Sequence, residues 1–173
     1  SDDFGPRIEQ LVHKVNKPFA GYAFLPAEMS LFPATIPTSH VFRGNDSRVN
    51  SIVGARNGDT ISTTGRAGWL IFGPYIPLAT GDYQVTIRGT LGESGLAAAH
   101  MDIVADKGNC VIAECVLEEP GENGCFVVLP ISLKASYCDV EVRVWVNDNT
   151  DLQVSMIEII KRNPETREHF NTA

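Results

Sequence analysis

Apolar and polar residues alternate along much of the chain from about residue 49 onward. The clearest case is the segment 138–147, where every second residue is apolar: Val140, Val142, Val144 and Val146. Successive side chains of a strand point to opposite faces of a sheet, so this period of two predicts a strand with one buried face. Other strand-like runs lie at 59–64, 69–72, 83–87, 98–105, 110–117, 125–129 and 151–160.

Turn residues separate these runs at intervals of about 8–15 residues. The sequence Asp106-Lys107-Gly108-Asn109, for example, predicts a hairpin turn between two strands. A parallel sheet needs crossover helices, and the intervals leave no room for them. We therefore predict an all-β fold, an antiparallel β-sandwich of the jelly-roll type.

The first part of the chain follows a different pattern. Ile8, Leu11, Val12 and Val15 have the spacing of one helical face. Residues 18–40 are rich in proline and aromatic residues, which predicts an irregular arm that packs on the folded body or on a preceding domain. We predict an N-terminal helix and arm at 1–44, a sandwich at 45–162 and a polar tail at 163–173. Because the chain begins with Ser1, we expect it to be a piece of a longer protein.

Composition and charge exclude two classes of partner. The chain has 173 residues, of which 43% are hydrophobic, and its formal net charge is −7. Duplex binding needs a dense basic patch, so nucleic acid is not an expected partner. No apolar run approaches the roughly 20 residues of a membrane span. The sequence does not decide between the cytoplasm and the cell envelope as the location of the protein.

The four cysteines have no metal-site spacing. Cys110, Cys115, Cys125 and Cys138 include no C-x-x-C pair. Free thiols in or beside strands are the favoured interpretation, and one disulfide is the alternative.

Catalytic motifs are absent, and the scattered candidates have simpler explanations. His100 and Asp102 share one strand face, where a general-base pair is conceivable but an exposed polar face is the more common arrangement. Glutamates such as Glu114 and Glu141 could form a carboxylate pair, but the sequence does not place any two of them together.

A more specific pattern lies on the polar face of the segment 138–147. Arg143 and Trp145 point away from the valines, and Arg88 lies on the outer face of the 83–87 strand. If these two strands are neighbours, one indole and two guanidinium groups form a platform that matches the apolar face and hydroxyl rim of a sugar. Asn147 and Asp148 are expected at its rim. The alternatives for Trp145 are cover by the N-terminal arm or a partner interface.

A cation site is the weaker interpretation of the next loop. Asn147, Asn149 and Asp151 have a spacing that can present three oxygens to a hard cation. A hairpin turn explains the same residues, so we expect no cofactor there.

The segment from Gly65 to Val85, GRAGWLIFGPYIPLATGDYQV, resembles a segment of β-sandwich domains found beside glycosyltransferases and other bacterial polysaccharide enzymes. Its L-x-x-G-x-Y-x-V part, Leu78–Val85, is similar to the galactose-binding-like jelly rolls, which include many carbohydrate-binding modules. The ending 152–161 resembles their last strand. In this interpretation Gly73-Pro74 ends one strand ladder, Trp69 packs in the core, and calcium is frequent but has no matching ligand set here.

The resemblance implies a noncatalytic module that binds a glycan or polysaccharide as an accessory part of a larger bacterial protein. A neighbouring domain of the same chain is then an expected partner. Two alternatives stay open: an interaction domain that positions a neighbouring catalytic domain, and a small hydrolase.

Overall fold

The computed structural model describes residues 39–162, and these residues form a β-sandwich. The helix predicted near the N-terminus, most of the aromatic arm and the polar tail lie outside the described residues. A short 3-10 turn, Glu122–Gly124, precedes the eighth of ten strands. The strands are Ser39–Phe42 (β1), Ala55–Asn57 (β2), Thr60–Ser62 (β3), Gly68–Leu78 (β4), Gly81–Leu91 (β5), Ala99–Ala105 (β6), Cys110–Val116 (β7), Cys125–Leu133 (β8), Tyr137–Val146 (β9) and Leu152–Lys161 (β10).

Two antiparallel sheets make up the sandwich. The larger sheet has the order β2-β3-β10-β5-β8, with β1 also paired to β10. The smaller sheet has the order β4-β9-β6-β7. The predicted all-β antiparallel sandwich is therefore confirmed. β1 lies within the segment 1–44 that the sequence assigned to the arm, so these four residues belong to the sandwich; the three-part division otherwise stays a prediction.

The core lies between the two sheets and follows the predicted strand periodicity. On β9, Val140, Val142, Val144 and Val146 are each at most 1% exposed. The facing sheet contributes apolar side chains such as Val85, Ile87 and Ile157, which are also buried. Burying one such side chain stabilises a fold by about 1.5–3 kcal/mol, so these strands fix which face of each sheet points outward.

β4 runs through Gly73-Pro74, so the expectation that this pair ends a ladder is wrong. Gly73 pairs with Val142 and Pro74 with Glu141 on β9. The register shifts at the next step, where Tyr75 has a φ of 58° and lies outside the ladder. A bulge thus leaves Tyr75, the residue after the proline, unpaired, and the strand continues to Leu78.

The outer edge of β4 is covered by the chain that precedes β2. Asn50 and Phe72 exchange two backbone hydrogen bonds, and the amide of Ile52 donates to the carbonyl oxygen of Trp69. This pairing leaves no exposed ladder along that part of β4 and holds its first half in place.

Two smaller predictions concern the turns and the cysteines. The hairpin turn at 106–109 is confirmed, with Asp106 and Lys107 at positive φ. All four cysteines are free thiols, and Cys138 is exposed. Within residues 39–162 the structure contains no helix long and apolar enough to cross a membrane.

Candidate functional site

The outer face of the smaller sheet carries two rows of side chains across its strands. In one row Trp69 of β4 pairs with Trp145 of β9, and Trp145 pairs with His100 of β6. In the next row Arg143 of β9 pairs with Asp102 of β6. Side chains directly opposite each other on antiparallel strands come close enough to interact, so strand register alone brings these residues together.

Two indoles and one imidazole form a cluster in the first row. His100 stacks on Trp145 with ring centroids 5.3 Å apart and an interplanar angle of 21°. The same imidazole meets Trp69 edge to face at 6.2 Å. His100 is exposed, whereas both indoles are half-buried. These contacts restrict the rotamers of the three rings and leave an aromatic surface at the sheet face.

An ion pair supports this cluster from the second row. Arg143 donates from Nε to Oδ1 of Asp102 at 2.7 Å and from Nη2 to Oδ2. Its Cζ atom lies 4.6 Å from the ring centroid of Trp69. Hydrogen bonding to Asp102 raises the pKa of Arg143, so the guanidinium stays charged. The side chain is therefore held on both its planar edge and its face.

A buried carboxyl group lies beside the ion pair. Glu141 is 8% exposed, and the Tyr75 hydroxyl donates to its Oε1 at 3.1 Å. Burial raises the pKa of Glu141, although the bond from Tyr75 and the charge of Arg143 act in the opposite direction. Burial and the Glu141 charge raise the pKa of Tyr75 to about 12, so the phenol keeps its proton and donates.

The raised pKa of Glu141 predicts a pH-dependent stability difference. A carboxyl group whose pKa is higher in the folded state stabilises the fold fully below its unfolded pKa, and this stabilisation is lost as pH rises through the folded pKa. Glu141→Gln should therefore raise the thermal midpoint at pH 7 by roughly 2–4 °C, the shift expected for about 1 kcal/mol. At pH near 4 the difference should shrink. Differential scanning calorimetry at both pH values measures it.

Glu119→Gln is the control for charge, because Glu119 is an exposed acid of the segment between β7 and β8. It should change the midpoint little at either pH. A lower midpoint for Glu141→Gln at pH 7 would contradict the prediction and mean that the ionised carboxylate stabilises the fold.

A polar cleft lies among the loops at one end of the sandwich. It encloses about 430 Å³ and is lined by Thr63, Gly65, Ser94 and residues 148–151. Its position follows from the strands, because Asp148 comes three residues after Trp145 and Gly65 comes four residues before Trp69. The cleft therefore adjoins the end of the sheet that carries the aromatic cluster.

The loop that follows β9 has the geometry of a turn. Oδ1 of Asn147 accepts hydrogen bonds from the amide of Asn149 at 3.1 Å and from Oγ1 of Thr150 at 2.8 Å. These bonds favour the turn interpretation of the Asn147–Asp151 spacing over a cation site. As a separate observation, residues 39–162 contain no group of three His, Cys, Asp or Glu side chains that could hold a metal ion.

The structure brings some of the predicted site residues together and separates one of them. Arg143 and Trp145 are two positions apart on the outer face of β9, and Asn147 and Asp148 follow at its end. Arg88 lies on β5 of the other sheet, where its Nη1 donates to the backbone oxygen of Asn123 at 3.4 Å. The condition for one shared platform, that β5 and β9 are neighbours, is therefore not met.

Two members of the cluster were not among the predicted site residues. Trp69 was expected in the core, but it is half-buried on the outer face, because a register shift beside Leu70 turns the indole outward. His100 and Asp102 were expected together on an exposed face. They share the outer face, but only His100 is exposed, since Asp102 is half-buried in its ion pair with Arg143. The stacking of His100 on Trp145 needs the pairing of β6 with β9. The alternation of apolar and polar residues around His100 indicated which face of the strand it occupies. It did not indicate that Trp145 is its stacking partner.

Comparison with solved structures places the fold. The C-terminal CBM6 of LamC, a marine laminarinase from Zobellia galactanivorans, matches with a TM-score of 0.51 and 14% identity, over 71% of this chain and 99% of that chain. CBM6cm-2 of Cellvibrio mixtus lichenase 5A, solved with cellotriose, has a TM-score of 0.46 and 12% identity over 72% of this chain and 98% of that one. The Gap123 complex of Streptococcus agalactiae matches with a TM-score of 0.49 and 10% identity, over 93% of this chain and 33% of that chain.

These likenesses are structural, since no protein-family model and no curated protein matches the sequence. At 14% identity the match to the LamC module shows the fold. The chain contains the jelly-roll β-sandwich found in carbohydrate-binding modules, as the resemblance of its 65–85 segment implied.

Proposed function

We propose that this protein binds carbohydrate on the outer face of the smaller sheet. The observation that carries the proposal is the cluster of Trp69, His100 and Trp145 beside the Arg143–Asp102 ion pair. An indole offers an apolar plate to the C–H face of a sugar ring, and the ion pair offers a donor and acceptors to its hydroxyl groups. The jelly-roll fold supports the proposal, because carbohydrate-binding modules share it.

The rigid surroundings of the cluster favour binding. Each indole already has a partner on one side: His100 lies against Trp145, and Arg143 lies over Trp69. Rings that are held before a ligand arrives lose little conformational freedom on binding. One sugar ring on this surface, with two or three hydrogen bonds, predicts an affinity on the order of micromolar to millimolar.

The polar cleft extends the proposed site beyond one sugar ring. Asn147 and Asp148 lie at the end of β9 that carries Trp145, and Asp148 lines the cleft. Amide and carboxylate oxygens accept hydrogen bonds from sugar hydroxyls. We therefore place these two residues at the rim of the site, next to the aromatic surface.

We further propose that the module has no catalytic activity of its own and serves as an accessory part of a larger bacterial protein that acts on polysaccharide. The resemblance of the 65–85 segment to domains beside polysaccharide enzymes supports this role. Incubation of the protein with any glycan that it binds should release no reducing ends. Measurable turnover would contradict the proposal and favour the hydrolase alternative.

The test of binding is a glycan-array screen of the protein, followed by titration of the hits by isothermal calorimetry. Binding of at least one class of glycan is the expected result. An array without hits, repeated at the high protein concentrations that millimolar affinities require, would contradict the proposed function.

Arg88→Gln tests the location of the site. Because Arg88 lies on the other sheet, this substitution should leave the affinity for an array hit unchanged. Calorimetric titration measures it, and the thermal midpoint checks that the variant is folded. Loss of affinity in Arg88→Gln would mean that the ligand binds the larger sheet and that the cluster around Trp145 is not the site.

A further inference from the structure

The smaller sheet has a marked imbalance of charge. Its four strands contain one arginine, Arg143, and no lysine. The same strands contain four acidic residues: Asp102, Glu114, Asp139 and Glu141. Among the strand residues, a negatively charged ligand on this face would therefore be attracted by Arg143 alone, with Lys107 as a second cation in the adjoining β6–β7 turn.

Arg143 already uses one of the two guanidinium edges that can bind a carboxylate through paired contacts. Two nitrogens on one edge of its guanidinium group, Nε and Nη2, contact the two oxygens of Asp102. The same kind of paired contact would recognise the carboxylate or sulfate of an acidic sugar. The two side chains are only 23% and 13% exposed, so the pair is partly shielded from water and from salt.

We propose that Asp102 determines the specificity of this face, because it occupies the guanidinium edge of Arg143 that would otherwise bind an anionic group. The site then accepts uncharged saccharides and rejects acidic ones. The inference rests on the proposed function of the same face. To make the same paired contact, an acidic sugar would have to displace Asp102 and leave its carboxylate unpaired and mostly buried near Glu141. An uncharged sugar needs no such displacement, because its hydroxyl groups can bond to the ion pair as it stands.

The substitution that tests this is Asp102→Asn, which keeps the size of the side chain and removes its charge. Affinity gel electrophoresis compares neutral glucans with their carboxymethyl derivatives and with polygalacturonate. The wild-type protein should be retarded by neutral glucans and not by the acidic polymers. Asp102→Asn should gain at least about tenfold in affinity for the acidic polymers, and about 0.5 M NaCl should remove most of this gain.

A matched control separates the local effect from net charge. Asp59→Asn changes the net charge by the same amount, but Asp59 forms an exposed ion pair with Arg43, away from β4, β6, β7 and β9. It should leave the selectivity unchanged. The double variant Asp102→Asn/Arg143→Gln should lose the gain, which a purely structural role of Asp102 does not predict.

The outcomes separate this inference from the proposed function. Wild-type protein that binds acidic and neutral polymers equally well would overturn the inference without any variant, even if Asp102→Asn failed to fold. A folded Asp102→Asn without a gain, or an equal gain in Asp59→Asn, would also overturn it. Absence of binding to every polymer would instead contradict the proposed function itself, and the inference would fall with it.

Discussion

Replacing Trp145 by alanine should weaken glycan binding at least about tenfold and should lower the thermal midpoint by less than about 4 °C. The large effect on binding follows from the loss of the indole and of the ring on which His100 stacks. The small effect on stability follows from the position of Trp145 on the outer face, where it is half-buried. Isothermal calorimetry with an array hit and differential scanning calorimetry measure the two quantities.

Tyr137→Ala is the matched control, because Tyr137 is a half-buried aromatic residue of the same strand. It lies eight positions before Trp145, which corresponds to about 26 Å along a strand. Its removal should leave the affinity unchanged. Trp145→Phe should keep part of the affinity, since it preserves an aromatic plate of smaller area.

Two results would contradict the prediction for Trp145. Unchanged affinity would place the ligand elsewhere. A fall in the thermal midpoint as large as that of Val144→Ala, a substitution in the fully buried row of β9, would mean that the indole serves the core of the protein.

The outer position of Trp145 could be predicted because strand periodicity is a local property. A period of two separates the side chains of β9 into a buried row and an outer row, whatever sheet the strand joins. The valines of β9 are buried, and Arg143 and Trp145 point outward, as the sequence indicated. Local alternation thus identified one strand of the candidate site.

The neighbours of that strand could not be predicted in the same way. β5 pairs with β8 and with β10, and the latter pairing joins Tyr83 to Lys161 across most of the sandwich sequence. Periodicity assigns a side chain to a face of its own strand but says nothing about which sheet contains the strand. Arg88 was therefore assigned to the correct kind of surface and to the wrong sheet.

Trp69 shows a second limit of the sequence pattern. The run GWLIF from Gly68 to Phe72 is continuously apolar, which is typical of a buried strand. In the structure Leu70 and Ile71 are both buried, because the register of β4 against β9 shifts between Trp69 and Ile71. Such a bulge places two consecutive residues, Leu70 and Ile71, on the core side. Trp69, the residue before them, therefore points outward.

Adding a single methyl group at Gly89 should destabilise the sandwich more than any surface substitution. Gly89 lies on β5 opposite Val154 of β10, beside a register shift in β10. A Cβ atom built there would lie 1.8 Å from the backbone oxygen of Gln153 and 3.0 Å from the ring of Phe126. The backbone of β10 cannot yield as a flexible side chain would. Gly89→Ala should therefore lose about 3 kcal/mol or more.

Urea denaturation followed by tryptophan fluorescence measures this loss as a lower midpoint concentration. Gly121→Ala is the control, because Gly121 has a φ of −72° and a Cβ atom there would have no neighbour within 4 Å. Alanine at such a position restricts the unfolded chain, so this variant should be as stable as the wild type or slightly more stable. Equal stability of Gly89→Ala and the wild type would contradict the prediction. It would mean that the backbone of β10 can move away from residue 89 while the two strands stay paired. The close approach of β5 and β10 at Gly89 would then contribute little to the stability of the larger sheet.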